Sequence, residues 1–271
     1  MDRYAVIGNP VAHSLSPDIH ALFARQTGEA LEYGRLLVPQ GEFATHATAF
    51  FRDGGRGANV TLPFKIDAFE FAAERSDRAR LAGAANFLMA RDGAIFADNT
   101  DGAGLVADLT RNLGVMLRGC SVLLVGAGGA ARGIVAPLLE QDPASLLIAN
   151  RTAQRAFDLV ARFQSLGRVE ACALDAIDGG PFDVILNATS TSTRGERLAL
   201  PGALFGGSTL AYDLSYGPAA RPFVEGAQAR GARAVDGLGM LVEQAAESFA
   251  LWRGKRPRTE PVLAELGARR A

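Results

Sequence analysis

Short apolar runs alternate with helix-periodic stretches along most of the chain. In the N-terminal part YAVIG gives way to PDIHALFARQ, LEYGRLLV to GEFATHATAFF, and GANVT to PFKIDAFEFA. The runs are strand-sized and the stretches between them carry the 3.6-residue period of helices with one apolar face. A second series begins at SVLLV, residues 121 to 125, and continues through AARGIVAPLLEQ, SLLIAN, TAQRAFDLVARF, DVILNAT, TLAYDL and ARAVD. Strands alternating with helices favour parallel sheets. The pattern therefore predicts two α/β domains, residues 1–102 with a mostly parallel sheet and residues 103–236 with a Rossmann-like one. Between the two series, NTDGAGLVADLTRNLG predicts a linking helix that starts at Asn99, Thr100 and Asp101 and ends near Gly114. In the tail, Met240, Leu241, Ala245, Phe249 and Trp252 share one helical face. That face predicts a C-terminal helix returning to the first domain, so that residues 237–271 complete it.

Charge narrows the ligand classes. With 28 basic and 29 acidic residues the net charge is -1, so no global field gathers nucleic acid or an anionic membrane. Any anionic ligand must be held by local groups. The apolar runs fall short of the roughly 20 residues that span a bilayer. MDRYAVIGNP lacks the apolar core of a signal peptide, so a cytoplasmic location is expected. Cys120 and Cys172 show no CxxC pairing, and no disulfide is expected. His13, His20 and His46 have no metal-ligand spacing and read as surface or turn histidines; no metal is expected. Oligomeric state is not fixed by these features, and a homodimer is left open.

VLLVGAGGAARG, residues 122 to 133, is a strand followed by Gly126, Gly128 and Gly129 and then a helix. Glycines there permit a tight turn and bring backbone N–H groups and a helix N-terminus close to a pyrophosphate. An NAD site carries an Asp or Glu about 20 residues further on. This chain has Asn150, Arg151, Thr152 and Arg155 there. The two arginines suit a ribose 2'-phosphate through charge-assisted hydrogen bonds, which favours NADP over NAD.

Polar residues of the first domain permit two readings each. Ser14 and Ser16 flank Leu15 before Pro17, where a serine caps a helix or both hydroxyls meet an anion. In NVTLPFK, Asn59 and Thr61 share one strand face with Val60 turned to the core, and Pro63 opens a helix with Lys65 in its first turn. A cation there opposes the helix dipole. Lys65 either reaches solvent or serves chemistry. Asn86 stands at a strand start, as a turn residue or a hydrogen-bonding group, and Asp101 stands at a helix start, where an acid is also a plain cap.

Taken together, GNPVAHSLSP, NVTLPFK, GAANF, NTDGAG, GAGGAARG, NRT, NATS, DLSYGP and GLGMLVEQAA occur in an order that resembles the shikimate dehydrogenase family. The resemblance implies a two-domain enzyme that reduces 3-dehydroshikimate to shikimate with NADPH, in aromatic amino acid biosynthesis. It implies a catalytic pair, Lys65 and Asp101, with Ser14, Ser16, Asn59, Thr61, Asn86, Tyr216 and Gln244 around the substrate. By the same likeness Gly126, Ala127, Gly128, Gly129 and Ala130 meet the pyrophosphate. Asn150, Arg151, Thr152 and Arg155 meet the adenosine phosphate, Leu214 and Gly237 the nicotinamide side, and Asp77 touches the cofactor. Arg155 stands where some relatives have Lys, which keeps the charge. A quinate/shikimate dehydrogenase using NAD and a non-catalytic NADP-binding module are the rival readings; the arginines argue against the first and the intact Lys65 and Asp101 against the second.

Overall fold

The computed structural model describes residues 1–191 and 198–269. Two units make up the chain, Met1–Leu105 with Leu241–Ala271, and Val106–Met240.

The first unit runs β1 (Asp2–Gly8), α1 (Ser16–Thr27), β2 (Leu31–Leu37), α2 (Phe43–Arg52), β3 (Gly55–Val60), α3 (Lys65–Phe71), β4 (Glu74–Arg75), α4 (Asp77–Ala82), β5 (Phe87–Arg91) and β6 (Ala94–Asp98). Its sheet has the order β2-β1-β3-β5-β6-β4. β1 is parallel to β2 and β3, and β4 to β6, whereas β5 is antiparallel to both neighbours. The unbroken strand-helix rhythm read from the sequence stops at this hairpin. Asp92 and Gly93 turn it with φ of 52° and 81°, the paired positive values of a tight hairpin turn, for which an Asp-Gly dipeptide is the usual signal.

Alternation sorts β3 between two faces. Val60 packs with Ile7, Phe64, Leu88 and Ala97 in one apolar cluster, while Asn59 pairs across to Phe87 on the opposite face. The helix after β3 starts at Lys65, with Phe64 as its N-cap. Pro63 does not open it as the sequence pattern predicts. The chain there is held in a turn closed by the Phe64 N–H on the Thr61 carbonyl at 3.0 Å.

The chain leaves the first unit within α5 (Asp101–Ala107), which continues into one wide π-type turn at Asp108–Asn112. The second unit comprises β7 (Ser121–Val125), α6 (Gly129–Leu139), β8 (Ser145–Asn150), α7 (Ala153–Phe163), β9 (Val169–Ala173), β10 (Val184–Asn187), β11 (Leu210–Asp213), α8 (Arg221–Gln228) and β12 (Arg233–Val235). The order β12-β11-β10-β7-β8-β9 is parallel at every pairing. Strand order reverses between β7 and β10, the switch point at which doubly wound sheets bind ligands. Leu123, Val125, Ile185 and Ala211 are buried against one side of this sheet.

α9 (Leu238–Arg253) and α10 (Glu260–Ala268) follow, and from Leu241 onward they belong to the first unit. Trp252 closes the return: its indole N–H donates to the Leu88 carbonyl at 3.1 Å. The ring fills the notch above Gly57, where an added Cβ would stand 2.2 Å from Nε1. Only glycine fits there.

His20 departs from the sequence reading. It is fully buried on α1, not at a surface or turn, because it shares the inward face with Ile19, Phe23 and Ala24. Its ring stacks on Tyr33 at 4.2 Å between centroids and 6° between planes. Burial holds its pKa from 6.5 down to about 3, so the native state keeps it neutral. Above pH 6.5 both folded and unfolded states are neutral and His20 adds no pH dependence. Below it the unfolded chain takes up a proton that the native state refuses, so stability falls as pH falls toward about 3. Urea midpoints are expected to give a loss from this residue of about 2 kcal/mol between pH 6.5 and 5, absent in His20→Leu; equal slopes for the two proteins would refute it.

Candidate active site

Five of the polar residues singled out in the sequence meet behind the C-terminal end of β3. Lys65, the first residue of α3, points its ammonium at Asp101, the first residue of α5, with Nζ 2.5 Å from Oδ2. Their side chains are only 12% and 6% exposed. The other carboxylate oxygen, Oδ1, accepts from Asn86 Nδ2 at 2.8 Å. Asp101 thus has both oxygens engaged by separate donors, which fixes its plane.

Asn86 is the hub of this cluster. It stands just before β5, and its Nδ2 also donates to Thr100 Oγ1 at 2.9 Å and Gln244 Oε1 at 3.1 Å. Its Oδ1 accepts the Thr100 backbone N–H at 2.7 Å. Gln244, on α9, anchors its own amide by donating to the Leu241 carbonyl at 2.8 Å. The Asp101 N–H is taken by Asn99 Oδ1 at 3.2 Å, so Asn99 supplies the cap at this helix start and Asp101 is released for other contacts. Asn59 is buried with Nδ2 directed at the Asn86 carbonyl and Ser248 Oγ, at 3.2 and 2.9 Å. Thr61 leaves β3 beside Gly8, where a Cβ would come within 2.4 Å of the threonine methyl. Buried polar groups are costly unless paired, and the side-chain groups of Asn59, Asn86, Asp101 and Gln244 are paired by these bonds.

Ser14 and Ser16 lie at the start of α1. Ser14 Oγ accepts the Ser16 N–H at 3.2 Å and donates to Ser16 Oγ at 3.1 Å. Leu15, the N-cap residue, makes no side-chain cap, so Ser14 takes on part of the capping while its hydroxyl stays half-buried. Arg35, which sequence reasoning missed, grips the Ser14 carbonyl with Nη2 at 2.7 Å.

In the second unit Gly126 ends β7 with φ of 115°. An added Cβ would sit 2.8 Å from the Ala188 carbonyl carbon. Gly128 caps α6 without any side-chain cap, and a Cβ there would meet nothing within 4 Å. Gly129 and Ala130 open the helix with N–H groups that have no intrahelical acceptor. Ala127 is buried between them and the strand. At the end of β8 Asn150 Nδ2 donates to the Thr152 carbonyl at 2.9 Å. Arg151, Thr152 and Arg155 are exposed at the start of α7, whose first turn has no acid. Neither arginine is ion-paired with a described residue. The turn and the two cations fit a phosphorylated dinucleotide. Leu214 and Gly237 are brought into contact, a Gly237 Cβ standing 2.5 Å from the Leu214 carbonyl oxygen. Tyr216 follows β11 in this second unit. Asp77 is exposed at the first position of α4.

Comparison with known proteins follows the same division. Residues 6–88 match the family model Shikimate dehydrogenase substrate binding domain, residues 108–195 the model Shikimate / quinate 5-dehydrogenase, and residues 237–266 the model Shikimate 5'-dehydrogenase C-terminal domain. A protein of Acidovorax sp. named Shikimate dehydrogenase (NADP(+)) is 53% identical over 98% of this chain and 96% of its own length. The chain belongs to the shikimate dehydrogenase family. A Hahella chejuensis relative of the same name is 54% identical over 98% of both chains. Among solved structures, an Ael1 enzyme from Pseudomonas putida matches this shikimate dehydrogenase family member with a TM-score of 0.90 and 47% identity over 98% of each chain. Shikimate 5-dehydrogenase from Thermus thermophilus in complex with NADP(H) and shikimate matches with a TM-score of 0.86 and 33% identity, covering 100% of this chain and 99% of that one.

Thr100, Ser248 and Tyr33 belong to the polar set of this family member but were not read from the sequence. Ser248 follows Gln244 by one helical turn, a spacing that puts both on one side of α9 and so was legible. Thr100 sits inside the NTDGAG motif, overshadowed by its neighbours. Tyr33 carries no local signal beyond strand alternation. No helix among the described residues is long and apolar enough to cross a membrane.

Proposed function

We propose that this chain catalyses the reversible NADPH-dependent reduction of 3-dehydroshikimate to shikimate, a step toward the aromatic amino acids, with Lys65 and Asp101 as its catalytic residues. The observation that carries the reading is the buried Lys65–Asp101 pair, 2.5 Å apart, set among uncharged amides and hydroxyls. Such a lining suits a polyol, since each buried amide or hydroxyl left without its partner penalises an analogue that lacks the group.

The first unit holds the substrate and the second the dinucleotide. Gly126, Gly128, Gly129 and Ala130 would hold the pyrophosphate, Arg151 and Arg155 the 2'-phosphate, and Leu214 and Gly237 the nicotinamide side. Bound NADPH supplies the hydride for the ketone carbon. As that carbon is reduced its oxygen gains negative charge and needs a donor; the Lys65 ammonium provides the hydrogen bond or proton there. In the reverse direction the same amine receives the hydroxyl proton. Asp101 orients Lys65 through Oδ2 and accepts from a neighbouring substrate hydroxyl, and Asn86 keeps that carboxylate from turning. Ser14 and Ser16 meet the substrate carboxylate, and Asn59, Thr61, Tyr216 and Gln244 meet the remaining oxygens. The two free cysteines suit a reducing compartment, in keeping with a cytoplasmic enzyme.

One assay tests the whole reading: absorbance at 340 nm with shikimate or quinate crossed against NADP+ or NAD+. Shikimate with NADP+ is expected to give the highest kcat/KM by about tenfold or more. A best rate for quinate with NAD+ would sink the assignment.

A further inference from the structure

Tyr33 lies outside every motif that points to the function, yet it is bonded directly into the polar set. It projects from β2, and its hydroxyl donates to Asn59 Oδ1 at 2.8 Å. Burial pushes that phenol well above its ordinary pKa, so it remains a neutral donor at any working pH. Asn59 bonds Ser248, which lies 3.2 Å from Thr100, and Thr100 bonds Asn86 and so reaches Asp101 and Lys65. One hydroxyl on β2 therefore anchors the far end of the chain of polar groups that ends at the ammonium.

The orientation of Asn59 is determined by this arrangement. Its two N–H groups face the Asn86 carbonyl and Ser248 Oγ. A carbonyl only accepts, so the amide cannot rotate by half a turn without setting oxygen against oxygen. Asn59 Oδ1 must then be the atom facing Tyr33, which obliges the phenol to donate to it. These bonds engage both Asn59 N–H groups. It can meet a substrate only as an acceptor from a hydroxyl.

We infer that Tyr33 is a positioning residue for substrate recognition: it holds Asn59 in the orientation of a hydroxyl acceptor. This rests on the functional reading above and deepens it. The stack of His20 on Tyr33 at 4.2 Å braces the ring from one face. Because Asn59 would bind a part of the substrate remote from the reacting carbon, loosening it weakens ground and transition states alike, which raises KM and spares kcat.

Tyr33→Phe removes the hydroxyl and retains the ring on His20. Steady-state kinetics are expected to show the shikimate KM raised about three- to tenfold, with kcat and the NADP+ KM changed by less than about twofold. In an Asn59→Ala background the same change is expected to add nothing further, since its effect runs through Asn59. An unchanged shikimate KM, a lowered melting temperature with intact kinetics, or full additivity with Asn59→Ala would overturn the inference. Failure of the wild type itself to oxidise shikimate would overturn the functional reading instead. The Tyr33 proposal is then decided by NMR of the Asn59 carboxamide, assigned by its loss in Asn59→Ala: signals that move and broaden in Tyr33→Phe support it, and unmoved signals refute it.

Discussion

Lys65→Ala is expected to lower kcat for shikimate oxidation by about 10²- to 10⁴-fold, the usual worth of a positioned acid or base, while the shikimate KM changes by only a few fold. In the proposed mechanism the lysine acts on charge that develops as the ketone and alcohol interconvert, so its loss is felt in the transition state more than in the bound ground state. Removing it also leaves a buried carboxylate with one oxygen unpaired, which costs stability, so circular dichroism must accompany the kinetics. Asp101→Asn provides the second arm. The carboxylate accepts from Lys65 on Oδ2 and from Asn86 on Oδ1; a carboxamide has a single acceptor oxygen, so one of these donors would face an NH2 group. The shape is kept and the orientation of Lys65 is lost. A comparable fall in kcat is expected, and undiminished turnover in either folded variant removes the pair from the mechanism.

The second large effect concerns the cofactor. Each of Arg151→Ala and Arg155→Ala is expected to raise the NADP+ KM by about 10- to 100-fold, the span given by losing a hydrogen bond to a charged group. The NAD+ KM should hardly move, because NAD+ lacks the 2'-phosphate that these residues serve. The double variant should fall short of the product of the two, as neighbouring sites sharing one ligand are not additive. Arg→Lys at either position keeps the charge without the planar fork and should give an intermediate value. Initial rates with both cofactors at saturating shikimate decide the matter, and a preference ratio left intact by the double variant would refute the assignment.

The cofactor turn was legible because its physics is local: a strand, glycines at fixed offsets and a helix suffice to place Gly126 and Gly128. The opposite placing of Asn59 and Val60 on β3 was legible for the same reason. The partnership of Lys65 with Asp101 was not, since the two stand 36 residues apart and each has an ordinary reading alone; only the order of several motifs joined them. Tyr33 lies 26 residues before Asn59, with nothing between them to announce the bond. His20 is a different kind of miss. Its spacing from Ile19, Phe23 and Ala24 placed it on the apolar stripe of α1, but its polarity outweighed its position in the reading. The β5–β6 hairpin was likewise written in Asp92–Gly93 and was overshadowed by the surrounding alternation of strands and helices.

The return of α9 to the first unit sets an order of events during synthesis. Ser248 and Asn59 are 189 residues apart, and the indole that fills the notch at Gly57 comes from the same late helix. At about 5–20 residues per second, β3 is outside the ribosome for on the order of ten seconds before its partners on α9 exist. During that interval the polar pocket has no back wall, and Gly57 leaves the middle of the sheet bare. Deleting the codons for α9 and α10 would therefore disable the unit whose strands are made first.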